Sequence, residues 1–413
     1  MPILHRVSEF HHDMILWRRT LHAYPETAFE EVKTAAFVAE QLRTFGVEVH
    51  EGIAGTGVVG VLRSGTGGGR SIGLRADMDA LNMQEENQFE HVSRYPGKMH
   101  GCGHDGHTVM LLGAARYLAE TCNFDGTVNF IFQPAEEGKG GGRAMVEAGL
   151  FQRFPCDQIY GVHNWPELPL GTFGVRAGPI MAAADRFEIF VEGQGAHGAM
   201  PHHGVDPVVV AAHIVTAAQS LISRSTDPLD SAVVSITMIN GGTTFNVIPS
   251  KVTLAGTVRS FRPATRDMIE RELARIASGV AAAFGATAVL RYNRTYPATV
   301  NTKLEADFAA KVAMDVVGET QVVINPEPSM GAEDFSFMLN ERPGCYVWLG
   351  QGGGADSCMI HNPRYDFNDA ILPIGASYWS RLVEMALPRV SSPARSAVMS
   401  SRVVNFDRGA VQS

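Results

Sequence analysis

Short apolar runs, each giving way to polar residues, punctuate the first part of the chain at 57–62, 71–75, 127–132 and 158–162. Runs of this length bounded by turn residues predict buried strands. Helical spacing takes over at 105–120 and 143–149, and two more helices, broken near Tyr24-Pro25-Glu26, are predicted over 7–45. Strands alternating with helices give an α/β fold class, with a mixed, mostly parallel sheet flanked by helices. Such sheets gather ligands outside the carboxyl ends of their strands. Arg75-Ala76-Asp77-Met78-Asp79, Gln133-Pro134-Ala135-Glu136-Glu137 and His163-Asn164-Trp165-Pro166 all follow such runs.

The pattern changes between 184 and 297. Strand (186–191), helix (206–223), strand (232–238), strand (251–261), helix (266–284) and strand (286–294) follow one another, the βαββαβ order of a ferredoxin-like unit. An inserted ferredoxin-like α+β lid domain over 184–297 would divide a catalytic domain into 1–183 and 298–388. In the second part, 306–317 and 333–339 read as helices, 346–349 as a strand and 369–387 as a last helix. The segment 389–413 has no clear periodicity and reads as a loosely held tail.

Composition narrows the function. With 45% hydrophobic and 19% charged residues the chain reads as soluble and globular, and its net charge of −9 disfavours nucleic acid or an anionic membrane as partner. A small molecule is expected instead. The first residues carry His5, Arg6, Glu9, His11, His12 and Asp13, unlike a signal peptide, and no run approaches 18 apolar residues, so no membrane span is expected. Five scattered cysteines fit reduced thiols, and a cytoplasmic location follows as the default.

The densest chemistry lies at 99–107, MHGCGHDGH. Cys102 and His104, two apart in a glycine-flanked turn, can face one ion, and both must be deprotonated to bind it. Glu136 and Glu137 close a strand ahead of a glycine loop. Adjacent carboxylates on extended chain point opposite ways, so one can hold a metal while the other meets substrate or water. His163 ends a strand and His361 opens a loop. With Cys102, His104 and Glu137 they make a five-ligand set for two ions sharing a bridging group, which would polarise a carbonyl and activate water together. His197 in the glycine turn 193–198, Asn246, and Arg259 on a strand suit a bound carboxylate or oxyanion. The run 55–60 matches GxGxxG, with Asp77 lying 20 residues beyond Gly57, yet it leads into a β-type run rather than a helix. A dinucleotide site is therefore rejected.

Read in order, RADMDAL (75–81), MHGCGHDGH (99–107), FQPAEEG (132–138), GVHNWP (161–166), GAHGAMPH (195–202), FNVIP (245–249), GTVRSF (256–261), GAEDFSF (331–337) and HNPRYDFND (361–369) resemble one family. It is the metal-dependent amidohydrolase and carboxypeptidase family of the aminoacylases and glutamate carboxypeptidases. The resemblance is strongest to the subgroup of hippurate hydrolase and the indole-acetyl amino acid hydrolases. It implies metal ligands Cys102, His104, Glu137, His163 and His361, with Cys102 as the bridge, and Glu136 as general base. Asp79 resembles the carboxylate beneath the metals that orients ligands. His197, Asn246 and Arg259 resemble lid residues that meet the scissile carbonyl and the substrate carboxylate. The cofactors implied are two divalent ions, zinc first, with manganese, cobalt or nickel as alternatives. The implied reaction is hydrolysis of N-acyl amino acids by a homodimer that closes its lid, a dipeptidase or carboxypeptidase being the alternative. Asn164 stands where relatives often carry an apolar residue, which predicts a change in pocket polarity.

Overall fold

The computed structural model describes residues 4–66, 69–352 and 358–389. The segment read as a tail lies outside them from 390 onwards. Among the described residues, twelve strands form the two larger sheets: β1 Glu48–Ile53, β2 Gly57–Ser64, β3 Ser71–Asp77, β4 Gly126–Gln133, β5 Gln158–Trp165, β6 Phe173–Val175, β7 Ala183–Glu192, β8 Ala232–Gly241, β9 Lys251–Ser260, β10 Thr287–Tyr296, β11 Val322–Ile324 and β12 Gly344–Gly350. The longer helices are α1 His11–Ala23, α2 Val32–Thr44, α3 His104–Thr121, α4 Pro207–Ala218, α5 Pro263–Ala283, α6 Lys303–Val317 and α7 Leu372–Ala386.

The large sheet runs β1-β2-β4-β3-β5-β12-β6-β11, parallel at its centre from β4 to β12 and antiparallel at β1/β2, β2/β4 and β12/β6. Both faces are covered, which is why its central strands read as continuous apolar runs rather than alternating ones. Leu74, Phe130 and Val347 pack towards α1, α2, α3, α6 and α7, while Ile131, Ile159 and Tyr346 pack towards the short helices Gly141–Glu147, Leu150–Arg153 and Ser336–Glu341. The GxGxxG run enters β2, an antiparallel strand followed along the chain by β3 rather than by a helix.

The chain leaves this sheet with β7 and returns after β10. In between lies a four-stranded antiparallel sheet, ordered β8-β9-β7-β10, with α4 and α5 on one face. Asp206 caps α4 by accepting from the Val208 amide. Val191, Val210, Ile214, Leu254 and Leu273 close this smaller core, and the opposite sheet face is open. The stretch Pro207–Ser225 amends the membrane reading, since it reaches membrane-spanning length with a mean hydropathy of 1.2. Its Val210, Ala211 and Ile214 pack into the lid core, and it ends in a π turn at Leu221–Ser225.

Two other readings change. The predicted helix over 333–339 begins only at Ser336, because Glu333 and Asp334 turn inward to bind Arg75. Strand β1 was not anticipated: its burial pattern shows that only Ile53 is fully covered, so it lacks an apolar run.

Candidate active site

Cys102 precedes α3 in a turn that only glycine permits. Gly103 adopts φ 93°, and a Cβ there would overlap the Asn164 side-chain oxygen. His104 then opens α3 with its Nδ1 2.8 Å from the Asp79 carbonyl oxygen and 3.2 Å from Asp79 Oδ1. His104 Nε2 is left buried without a hydrogen-bond partner, and because, against burial, Asp77, Cys102 and Asp79 raise the ring's pKa well above its usual value, an ion bound there would displace a proton. His163, at the end of β5, repeats the device: Nδ1 lies 2.7 Å from the Asn164 carbonyl oxygen while Nε2 sits 3.5 Å from Cys102 Sγ. Burial and the neighbouring His107 charge hold His163 well below its usual pKa, leaving it neutral.

Glu136 and Glu137 are not on extended chain. Ala135 takes a left-handed φ of 56°, turning β4 sharply into a short helical turn at Glu136–Lys139. Asp79 fastens this turn from below, its two carboxylate oxygens each accepting from a backbone amide, Glu136 and Glu137, at 3.0 Å. The two glutamates consequently face different neighbours. Glu137 Oε1 lies 3.1 Å from His361 Nε2, and His361 itself has a left-handed φ of 64°. Glu136 is buried beside Glu333 and Asp334 and accepts from the Asp334 amide at 3.4 Å. Burial, then the charges of Glu333, Glu137 and Asp334, raise Glu136 well above the usual carboxylate range.

Ligand atoms of Cys102, His104 and His163 lie within 4.8 Å of one another, and so do those of Cys102, Glu137 and His361. Cys102 alone belongs to both groups. The structure thus brings the five candidate metal ligands together, with Asp79 beneath them. The donor set suits divalent metals: a thiol, three imidazoles and a carboxylate, with His104 Nε2 buried among them without a hydrogen-bond partner.

A cavity of about 560 Å³ opens above them, lined on one side by Cys102, Glu136, Glu137, His163 and His361 and on the other by Arg186, Thr257 and Arg259 of the small domain. Arg259 therefore faces the candidate metal ligands. His197 and Asn246 do not line it. They sit on an exposed arm where Ala196–His197 pairs with Val247–Ile248 and the Gly198 amide donates to the Asn246 carbonyl at 2.7 Å. Asn164 is also absent from the wall. It is buried beneath, bonded to His107, Gln351 and Tyr365, so the expected change in pocket polarity does not arise there.

Arg75 and Tyr296 hold this site without having been singled out by the sequence, and His107, expected there as a support of the 99–107 cluster, does so too. Arg75 is buried and reaches Gln133, Asp77, Glu333 and Asp334 at 2.7–3.0 Å. His107 bridges Asp77 and Asn164 at 2.6 Å each. Tyr296, at the end of β10, donates to the Glu136 carbonyl at 2.7 Å and accepts from the Gly140 amide at 3.0 Å, tying the lid's last strand to the glutamate turn.

Comparison with known proteins agrees with this geometry. The hippurate hydrolase of Campylobacter jejuni is 42% identical over 365 residues, covering 88% of this chain and 94% of that protein. Thermostable carboxypeptidase 1 of Saccharolobus solfataricus is 38% identical over 377 residues, covering 90% and 94%. A crystal structure from Bacillus subtilis, described as a dinuclear metal binding peptidase from the M20 family, superposes with a TM-score of 0.81 at 35% identity over 92% of this chain and 99% of that one. The family model of peptidase family M20/M25/M40 matches residues 73–385. The chain belongs to peptidase family M20/M25/M40.

Proposed function

We propose that this chain hydrolyses the amide bond of N-acyl amino acids, releasing a carboxylic acid and a free amino acid. The observation that carries the reading is one cavity in which Glu136, Cys102, Glu137, His163 and His361 face the guanidinium of Arg259, with His104 buried beside Cys102 and His163. We assign 1–183 and 298–388 to a catalytic domain and 184–297 to its lid. Cys102, His104 and His163 would hold one divalent ion and Cys102, Glu137 and His361 a second, zinc by preference of the donor set, with manganese, cobalt or nickel also suited. Bound there, such ions polarise a carbonyl and lower the pKa of water.

Glu136 takes the proton of the attacking water and returns it to the leaving nitrogen. Burial and the charges of Glu333, Glu137 and Asp334 raise its proton affinity above that of an ordinary carboxylate, the direction a group that picks up and returns a proton needs. Asp79 keeps Glu136 and Glu137 on diverging paths by holding both amides. Arg259 takes the substrate α-carboxylate, setting the register of the amide against Glu136.

His197 and Asn246 are assigned to the oxyanion and the carboxylate, and because they lie outside their own cavity we assign them to the cavity of a second chain. The lid supports such a homodimer. Strand β8 pairs on one side only, and Met238, Ile239, Val247 and Phe245 are exposed beside it. Free, scattered cysteines fit a cytoplasmic enzyme.

The test is turnover by metal-loaded protein on benzoyl, acetyl, indole-acetyl and long-chain acyl amino acids alongside a panel of dipeptides. Acyl amino acids are expected to exceed dipeptides in kcat/KM, since the cavity-wall carboxylates away from the candidate ligands, Glu167 and Asp185, already accept from Trp165 and from Arg266 and Tyr292. A preference for dipeptides would move the assignment to the peptidase alternative.

A further inference from the structure

The open face of the lid sheet carries a second cation that the reaction above does not use. Arg186 on β7 lies across from Thr257 on β9, which places it diagonally next to Arg259 on the same face. Thr257 accepts a hydrogen bond from Arg259 Nη1, so the three residues form one continuous patch. Neither guanidinium makes an ion pair among the described residues, whereas Arg291 on the same sheet face is paired with Glu188. Asp185, the nearest acid in sequence, points to the other side and is occupied by Arg266 and Tyr292. Burial holds Arg259 below its ordinary pKa, against the pull of Asp185, and the nearby charge of Arg186 adds to the lowering. Two like charges are thus held side by side in a cavity wall without a protein counter-ion.

Arg186 also stands at the mouth of the candidate metal centre. A side chain at Gly138, directly after Glu137, would come within 3.8 Å of Arg186 Nη2. The residue lines the catalytic cavity and, on its other side, a second hollow of about 510 Å³ with Thr237, Ala255, Arg291 and Asn293. Two adjacent guanidiniums line the same cavity wall, so with an α-carboxylate on Arg259 the donors of Arg186 remain open to a second anionic group.

We infer that Arg186 is a specificity-determining residue that binds a second carboxylate on the amino-acid side of the substrate, so that this enzyme favours N-acyl derivatives of acidic amino acids. The inference rests on the amidohydrolase reading and on Arg259 as the α-carboxylate site. A paired guanidinium–carboxylate contact in a half-buried wall is strong enough to govern selection between otherwise isosteric substrates.

The experiment compares benzoyl-glutamate with benzoyl-glutamine, which differ in charge but hardly in size, using metal-loaded wild type, Arg186→Gln and Arg186→Lys, with Arg291→Gln as a control on the same sheet face. Wild type and Arg291→Gln are expected to favour benzoyl-glutamate by about tenfold or more in kcat/KM, mostly through KM. Arg186→Gln should bring the ratio to within about twofold of one, and Arg186→Lys should retain part of it. A wild-type ratio near one, or a ratio unchanged by Arg186→Gln, overturns the inference. An equal loss on both substrates also overturns it, by moving Arg186 to the shared α-carboxylate. Absence of wild-type turnover on every acyl amino acid defeats the amidohydrolase reading itself, an outcome distinct from all of these.

Discussion

The floor of the cavity and its lid wall are built on opposite plans. On the floor, His104, His163, Glu136 and Glu137 are each fixed by a bond on the side away from the cavity, through Asp79 or the Asn164 carbonyl. Below lies a buried lattice of Arg75, Asp77, His107, Glu333 and Asp334. On the lid, His197 and Asn246 are exposed, and among the described residues Arg259 is bonded only to Thr257 and the Val258 carbonyl. The floor is organised before substrate arrives, at the cost of burying many charges; under the proposed dimer, the lid residues would gain their partners only with substrate and a second lid in place. Preorganised groups act on the transition state without reorganising, whereas mobile ones supply selection and closure.

The sharpest way to break this contrast is to disable each side separately. Glu136→Gln is expected to lower kcat by about 10³-fold or more with little change in KM, and His197→Ala to lower kcat by about 10²-fold. Mixing and re-equilibrating the two inactive proteins should then restore about a quarter of wild-type activity, because a mixed dimer has one cavity with both groups intact. Mixtures that stay inactive would return His197 to its own chain and require lid closure instead.

A smaller effect probes what fixes the floor. Asp79→Ala removes the acceptor of the Glu136 and Glu137 amides. It is expected to weaken metal affinity about 10- to 100-fold by competition with a chelator, while the far-ultraviolet spectrum stays unchanged. Equal affinity would show that the ligands hold their places without it.

The smallest expected effect concerns stability rather than turnover. His22 is buried beneath the floor, between Asp105 at 2.8 Å and Glu85 at 3.2 Å, with Arg18, His91, His100 and Phe89 around it. Burial alone would lower its pKa, but the bonds to Asp105 and Glu85 outweigh burial and the opposing charge of Arg18, raising it to about 9. A raised value means stability that is complete below the unfolded pKa of about 6.5 and lost as pH rises through 9. Metal-free protein should therefore lose roughly 3 kcal/mol between these limits, seen as a falling urea midpoint, and His22→Gln should flatten the slope. A midpoint that rises with pH in this window would contradict the assignment.

Much of the floor was legible in the sequence because its ligands sit at strand ends or inside one dense motif. Cys102 and His104 stand two residues apart, and Glu137 and His163 directly follow apolar runs. The supporting lattice was not. Arg75 and Glu333 are 258 residues apart, and neither carries a local signal of the contact. Two inward-turned acids also cost the helix predicted over 333–339 its first turn. The lid's strand order follows from its βαββαβ pattern, yet Arg186 reads in isolation as an ordinary charge on a sheet face. Only the register of β7 against β9 places it beside Arg259.

The central claim is that Cys102 is shared by two ion sites, and cobalt titration of the metal-free protein tests it most directly. The account requires two equivalents per chain and a near-ultraviolet thiolate-to-cobalt absorption that grows with loading, with Cys102→Ala losing the band and tight binding at both positions. A full complement of two tightly bound ions in Cys102→Ala, or a wild type that saturates at one, would contradict it.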